Sequence, residues 1–203
     1  MVSRSSSAES AGAATAVAEG PGAAEVLERT GGRELARIVY SERDISERVE
    51  AMGRAITDAY PCDEELLILG LLKGSFIFVG DLVRAIRRPV QVDFLVASSY
   101  GSGTTTSGEV KLLYDPSAPV EGRHVVLVED IVDSGTTVNR MARALGERRP
   151  ASLEICALLH KHLARDLALE PRWVGFDAPP EFLVGYGLDH AEDFRHLPFV
   201  ASL

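Results

Sequence analysis

The sequence predicts an α/β fold with a parallel β-sheet core flanked by helices. Short continuous apolar runs, Leu66 to Leu72, His124 to Val128 and Ser152 to Leu159, have the length of strands buried on both faces. Segments with apolar residues three and four apart lie between these runs, which is the spacing of an amphipathic helix. Strands alternating with helices give parallel pairing, because each crossover helix returns the chain to the same end of the sheet before the next strand begins.

The elements follow in order. Ala, Ser and Gly dominate from Met1 to about Ala24 without apolar periodicity, so residues 1–34 are expected to be a disordered tail and 35–203 one domain. Ile45, Val49, Met52, Ile56 and Tyr60 mark a helix, with Ser41 or Asp44 available as its cap and Pro61 as its stop. Leu66 to Leu72 is a strand, Phe76 to Ile86 a helix, and Val90 to Ala97, rich in Val and Phe, a second strand. Ser98 to Gly108 is too polar and glycine-rich for a core element and is expected to be a mobile loop before the strand Val110 to Tyr114. A turn near Pro116 to Gly122 leads into His124 to Val128, and Val138, Met141, Ala142 and Leu145 then mark the inner face of a helix. Ser152 to Leu159 is a further buried strand. From Trp173 to Leu203 short apolar segments alternate with Pro179-Pro180, Gly185 and Gly187.

Composition narrows the function. Of 203 residues, 46% are hydrophobic and 25% charged, and no apolar run approaches the roughly 20 residues of a membrane span. The formal net charge of -9, without clustered Lys and Arg, argues against a nucleic-acid surface and hence against an RNA-binding regulator. The two cysteines, Cys62 and Cys156, have no metal-ligand spacing, and Gly12 and Thr15 break the apolar stretch that an export signal would need. A cytoplasmic protein is expected.

Most chemical information sits in Val128-Glu129-Asp130-Ile131-Val132-Asp133-Ser134-Gly135-Thr136-Thr137. Glu129 and Asp130 stand at the C-terminal end of a buried strand, where parallel sheets open their ligand crevices. Asp133 to Thr137 supply a tight turn, consecutive backbone N–H groups and three hydroxyls just before a helix, which is a cradle for a phosphate. Carboxylates would repel that phosphate, so Glu129 and Asp130 are expected to face ribose hydroxyls or a magnesium ion.

This segment resembles the phosphoribosyl pyrophosphate signature of type I phosphoribosyltransferases in its hypoxanthine-guanine form, and further motifs extend the resemblance over roughly Ile45 to Phe199. The family fold implied is a parallel-sheet core with a small hood. Leu72-Lys73-Gly74-Ser75 resembles the family's pyrophosphate loop, often built on a non-proline cis peptide, and Arg195 matches its pyrophosphate arginine. Ser99 and Tyr100 resemble the pair in the flexible loop that closes over the substrates. Lys161 is implied as the donor to the 6-oxygen of a purine, although His160 and His162 depart from the usual flanking residues. In Glu181 to Asp189 the resemblance implies that Phe182 stacks on the base, the Leu183 backbone meets its edge and Asp189 contacts metal. His190 replaces the family's usual tyrosine, and no histidine is given a catalytic role.

The implied reaction joins hypoxanthine, and guanine as well, to phosphoribosyl pyrophosphate, giving IMP or GMP and pyrophosphate, with Mg2+ as cofactor. Asp133 is the expected acid/base at purine N7. The resemblance leaves xanthine open as a base and implies a homo-oligomer, dimer or tetramer.

Overall fold

The computed structural model describes residues 22–61, 63–99, 110–163 and 166–203. Its main sheet contains β2 (Leu66–Leu72), β3 (Val90–Ser99), β4 (Val110–Tyr114), β5 (His124–Val132), β6 (Ser152–His160) and β7 (Trp173–Asp177), in spatial order β4-β3-β2-β5-β6-β7. The five strands from β3 to β7 in that order pair in parallel, and β4 adds an antiparallel edge.

Alternation along the strands sorts the core. Leu66, Ile68, Val126, Val128 and Leu158 face α2 (Glu42–Ala59) and α3 (Phe76–Ala85), where Ile45, Val49, Ile56, Phe78 and Leu82 meet them. Leu67, Leu69, Val125, Leu127 and Ile155 face α4 (Thr136–Gly146), against Val138, Met141 and Leu145. Both sheet faces are therefore covered, which is why the strands read as unbroken apolar runs. Helix α2 opens on a capping box: Ser41 Oγ accepts from the Asp44 N–H, and Asp44 accepts in return from the Ser41 N–H. Both candidate cap residues are thus used, one from each end of the box.

A second sheet forms the hood. Here β1 (Arg37–Tyr40), β9 (Val200–Ser202) and β8 (Leu183–Val184) lie in the order β1-β9-β8 over a separate small core of Val184, Phe194, Leu197, Phe199 and Ala201. The four-residue β1 escapes periodicity because its partner, β9, lies at the other end of the chain.

Three expectations are corrected. Residues 22–34 are not a structureless tail: α1 (Ala23–Arg29) forms, Thr30 is fully buried with its hydroxyl donating to Arg33 O at 2.6 Å, and Val26 packs on the hood core. Hood contacts supply the burial that the segment's own composition lacks. Residues 1–21 of the expected tail lie outside the described residues. Second, β3 continues to Ser99, because Ser98 and Ser99 pair with Lys111 and Val110 of β4. Of the expected mobile loop, residues 100–109, Tyr100 included, lie outside the described residues, as does the Ser99 side chain. Third, β5 runs four residues past Val128, since Glu129, Ile131 and Val132 continue the ladder with β6.

Strand order positions the site. The chain moves from β2 outward to β3, then returns to lay β5 on the other side of β2 before continuing to β6 and β7. A crevice opens at such a reversal, beyond the C-terminal ends of the two central strands. Lys73 follows β2, and Asp133 follows β5.

Candidate active site

The turn after β5 is built around Gly135, whose φ of 78° lies in the left-handed region and which caps α4 without any side-chain hydrogen bond. Neither Asp133 nor Ser134 caps the helix, so the first-turn N–H groups keep their capacity for an anion. Ser134 Oγ and Thr136 Oγ1 lie 3.2 Å apart on the turn. Residues 131–138 together with Glu129 line a cavity of about 80 Å³ there.

Upstream, Glu129 is only 5% exposed, and its Oε2 finds no hydrogen-bond partner among the described residues. Burial, reinforced by the neighbouring Asp130, holds its carboxyl well above the usual range. Burial also pushes Asp130 up to about 6; Asp189 adds to the rise, while backbone N–H bonds and Arg195 oppose it. Two adjacent carboxyls whose ionisation is opposed by burial mark this strand end as a candidate site.

The loop after β2 meets Asp130 directly. The Leu72-Lys73 peptide is cis. A Cβ on Gly74 would fall on the Asp130 carboxylate, and one on Gly187, at φ 100°, would fall on the Gly74 carbonyl. Three chain segments therefore touch at Gly74. Arg195 lies alongside: its Nη1 donates to Gly187 O at 2.7 Å, and its Nη2 lies 2.9 Å from Asp189 Oδ1. Lys73 and Arg195, the two cations expected at pyrophosphate, are bridged by Glu192 at 2.9 and 3.1 Å.

On the far side, Lys161 follows β6, and its N–H is fixed by Val132 O at 3.0 Å. Its side chain is 11% exposed and its Nζ donates to Asp133 Oδ2 at 3.1 Å. Leu183 is buried in β8, whereas Phe182 beside it is 54% exposed, its ring edge-on to His190 at 5.4 Å between centroids. An aromatic ring this exposed offers apolar surface on which a planar group can stack.

For a magnesium ion the donor chemistry fits but a closed cage does not. Among the described residues no three His, Cys, Asp or Glu side chains converge as a metal site. Asp130 and Asp189 offer hard oxygen donors near one another, and Mg2+ is commonly held by one or two carboxylates with substrate phosphates and water. Beside Glu129, expected as a third ligand, the Asp130 charge adds to the rise that burial imposes on its carboxyl.

The crevice has known counterparts. The family model for the phosphoribosyl transferase domain matches residues 44–191, a span that contains every motif described above except Arg195. The hypoxanthine phosphoribosyltransferase of Salmonella typhimurium is 44% identical over 167 residues, 82% of this chain and 94% of the relative. The chain belongs to the hypoxanthine-guanine phosphoribosyltransferases. A hypoxanthine-guanine phosphoribosyltransferase of Dictyostelium discoideum is 41% identical over 169 residues, 82% of this chain and 94% of the relative. The crystal structure of one from Bacillus anthracis superposes with a TM-score of 0.79 at 42% identity, covering 84% of this chain and 99% of that one.

Two features of this phosphoribosyltransferase were not visible to sequence reasoning. Tyr186, buried and at φ 49° between Gly185 and Gly187, donates its hydroxyl to Asp81 Oδ2 on α3 at 2.8 Å, tying the Gly187 segment to the helix that follows the Gly74 loop. Glu192 sits between Lys73 and Arg195. Its position three residues before Arg195 is the one local signal that could have drawn attention to it.

Proposed function

We propose that this purine-salvage phosphoribosyltransferase transfers the 5-phosphoribosyl group of phosphoribosyl pyrophosphate to a ring nitrogen of hypoxanthine or guanine. The sugar–pyrophosphate bond breaks, the purine nitrogen bonds to the sugar carbon, and IMP or GMP and pyrophosphate are released. The observation that carries this reading is the Lys161–Asp133 pair at 3.1 Å. It presents an ammonium donor and a carboxylate side by side at the border between phosphate turn and base platform. The 6-oxygen and N7 of a 6-oxopurine are adjacent on one edge of the ring, so Lys161 donates to the oxygen while Asp133 takes up or shares the proton at N7. Adenine would set an amino donor against the ammonium and leave both unpaired.

The remaining roles follow from charge. Residues 133–137 hold the 5-phosphate through backbone N–H groups and hydroxyls. Glu129 and Asp130 order the ribose hydroxyls, and Asp130 with Asp189 would hold Mg2+, which when bound neutralises the departing pyrophosphate. Lys73, the Gly74 backbone and Arg195 bind that pyrophosphate. Phe182 stacks on the purine and the Leu183 backbone meets its edge. Ser99 and Tyr100 close over the bound substrates and exclude water. Because charge develops on sugar and leaving group together, positioning and electrostatics carry the acceleration. The protein acts in the cytoplasm as a homo-oligomer, dimer or tetramer, a state that light scattering measures.

Asp133→Asn is expected to lower kcat about 100-fold or more while changing IMP affinity little, since the amide keeps the shape and loses the basicity. Steady-state kinetics with equilibrium IMP binding checks this, and an unchanged kcat sinks the assignment. A panel of hypoxanthine, guanine, xanthine, adenine and uracil tests the base class; turnover of adenine or uracil alone overturns it.

A further inference from the structure

We infer that Glu192 is a displaceable counter-anion that occupies the pyrophosphate subsite whenever pyrophosphate is absent. The inference rests on the assignment of Lys73 and Arg195 to that subsite. Glu192 Oε1 lies 2.9 Å from Lys73 Nζ and Oε2 lies 3.1 Å from Arg195 Nη2, so each oxygen of one carboxylate meets a different cation. Two oxygens on one centre, each facing one of these two cations, is the arrangement a phosphate group offers.

The backbone is shaped to put it there. Ala191 and Glu192 have φ of 54° and 68°, in the left-handed region that non-glycine residues seldom occupy. The turn is held by the Glu192 N–H donating to Asp189 Oδ2 at 2.8 Å and by the bridge between His190 and Asp193. A conformation that two consecutive side-chain-bearing residues disfavour persists because surrounding contacts impose it, and such outliers gather at ligand sites.

Displacement leaves the cations in place. Arg195 keeps Gly187 O and Asp189 when Glu192 withdraws, and the Glu192 side chain is exposed, so it swings into water without a change of fold. Lys73 Nζ has no other side-chain or backbone acceptor among the described residues, so Glu192 is its neutralising partner. Exposed ion pairs are weak, and the higher charge of pyrophosphate overcomes them. Glu192 then competes for both cations as the product departs, which speeds its release.

The test is calorimetric titration of inorganic pyrophosphate, in magnesium buffer, into the full chain carrying E192Q or E192A. Each variant is expected to bind pyrophosphate about three- to tenfold more tightly than the wild type, in keeping with the loss of two exposed pairs. IMP, which lacks the pyrophosphate group, is expected to bind unchanged, and this also reports an intact fold. Stopped-flow displacement is expected to show slower pyrophosphate release. Unchanged or weakened pyrophosphate binding in both variants overturns the role of Glu192, and so does an equal shift in IMP affinity. K73A separates the two layers of the argument. If K73A leaves pyrophosphate affinity intact, the subsite assignment itself fails; if K73A weakens binding and neither Glu192 variant tightens it, only the Glu192 role falls.

Discussion

Gly74 is where three parts of the chain approach more closely than any side chain would permit. A methyl group there falls on the Asp130 carboxylate. Gly74→Ala is therefore expected to displace Asp130 or the loop carrying Lys73, lowering kcat/KM about 100-fold with little loss of Tm, as small misplacements at a reacting centre do. Steady-state kinetics beside a thermal melt separates the two effects. Asp130 supplies a second prediction at the same scale. Its folded-state pKa of about 6 lies above the usual aspartate value, chiefly through burial, so the protonated form is the one the fold prefers. The stability it contributes is present below the usual aspartate range and is lost as pH rises through about 6. Asp130→Asn should consequently raise Tm relative to wild type at about pH 7, with the gap closing toward about pH 4, while phosphoribosyl pyrophosphate binding is lost. Melts across that range check the sign, and a gap that widens on acidification contradicts it. The residue types at these positions could be read from the sequence, because Glu129, Asp130, Lys161 and Asp133 lie in motifs. Their coupling could not: the Lys161–Asp133 pair spans 28 residues and the Lys73–Glu192 pair 119.

At the scale of elements, each helix on the main sheet is specified by local chemistry. Apolar spacing set α2, α3 and α4 because one face of each must meet the sheet, and Ser41 with Asp44 set where α2 begins. Ser41→Ala removes one half of that capping box and is expected to cost about 1 kcal/mol of unfolding free energy without altering KM, since the cap lies outside the crevice. Denaturant unfolding with matched kinetics measures both. Strand ends were less legible. The sequence suggested that β5 stops at Val128, yet it continues through two acids to Val132 because β6 supplies the pairing partners. Hydrogen bonding to a neighbour, rather than apolar content, determines where such a strand ends.

Across the whole molecule, the hood joins residues from both ends of the chain. Arg33 lies 2.6 Å from Asp193 and over the Phe194 ring, and His196 Nε2 is 2.9 Å from Arg29 O, so the segment 22–34 braces the turn that carries Asp189, Glu192 and Arg195. Removing residues 1–21 is expected to leave Tm and KM near wild type. Removing 1–34 should lower Tm by several degrees, about 2–4 °C per kcal/mol lost for a chain of this size, and raise KM for phosphoribosyl pyrophosphate more than for the base. Melts and kinetics of the two truncations decide whether α1 is a brace or a passive tail. The sequence by itself determined the α/β class, the parallel sheet, the glycine turn before α4 and the identity of the polar residues, because these depend on periodicity and contiguous motifs. Only the tertiary structure decided that β1 and β9 share a sheet, that residues 22–34 are ordered, and that Glu192 bridges Lys73 and Arg195. Each of those rests on contacts between segments distant in the chain, whose closure is stabilised by burial elsewhere and leaves no local pattern to read.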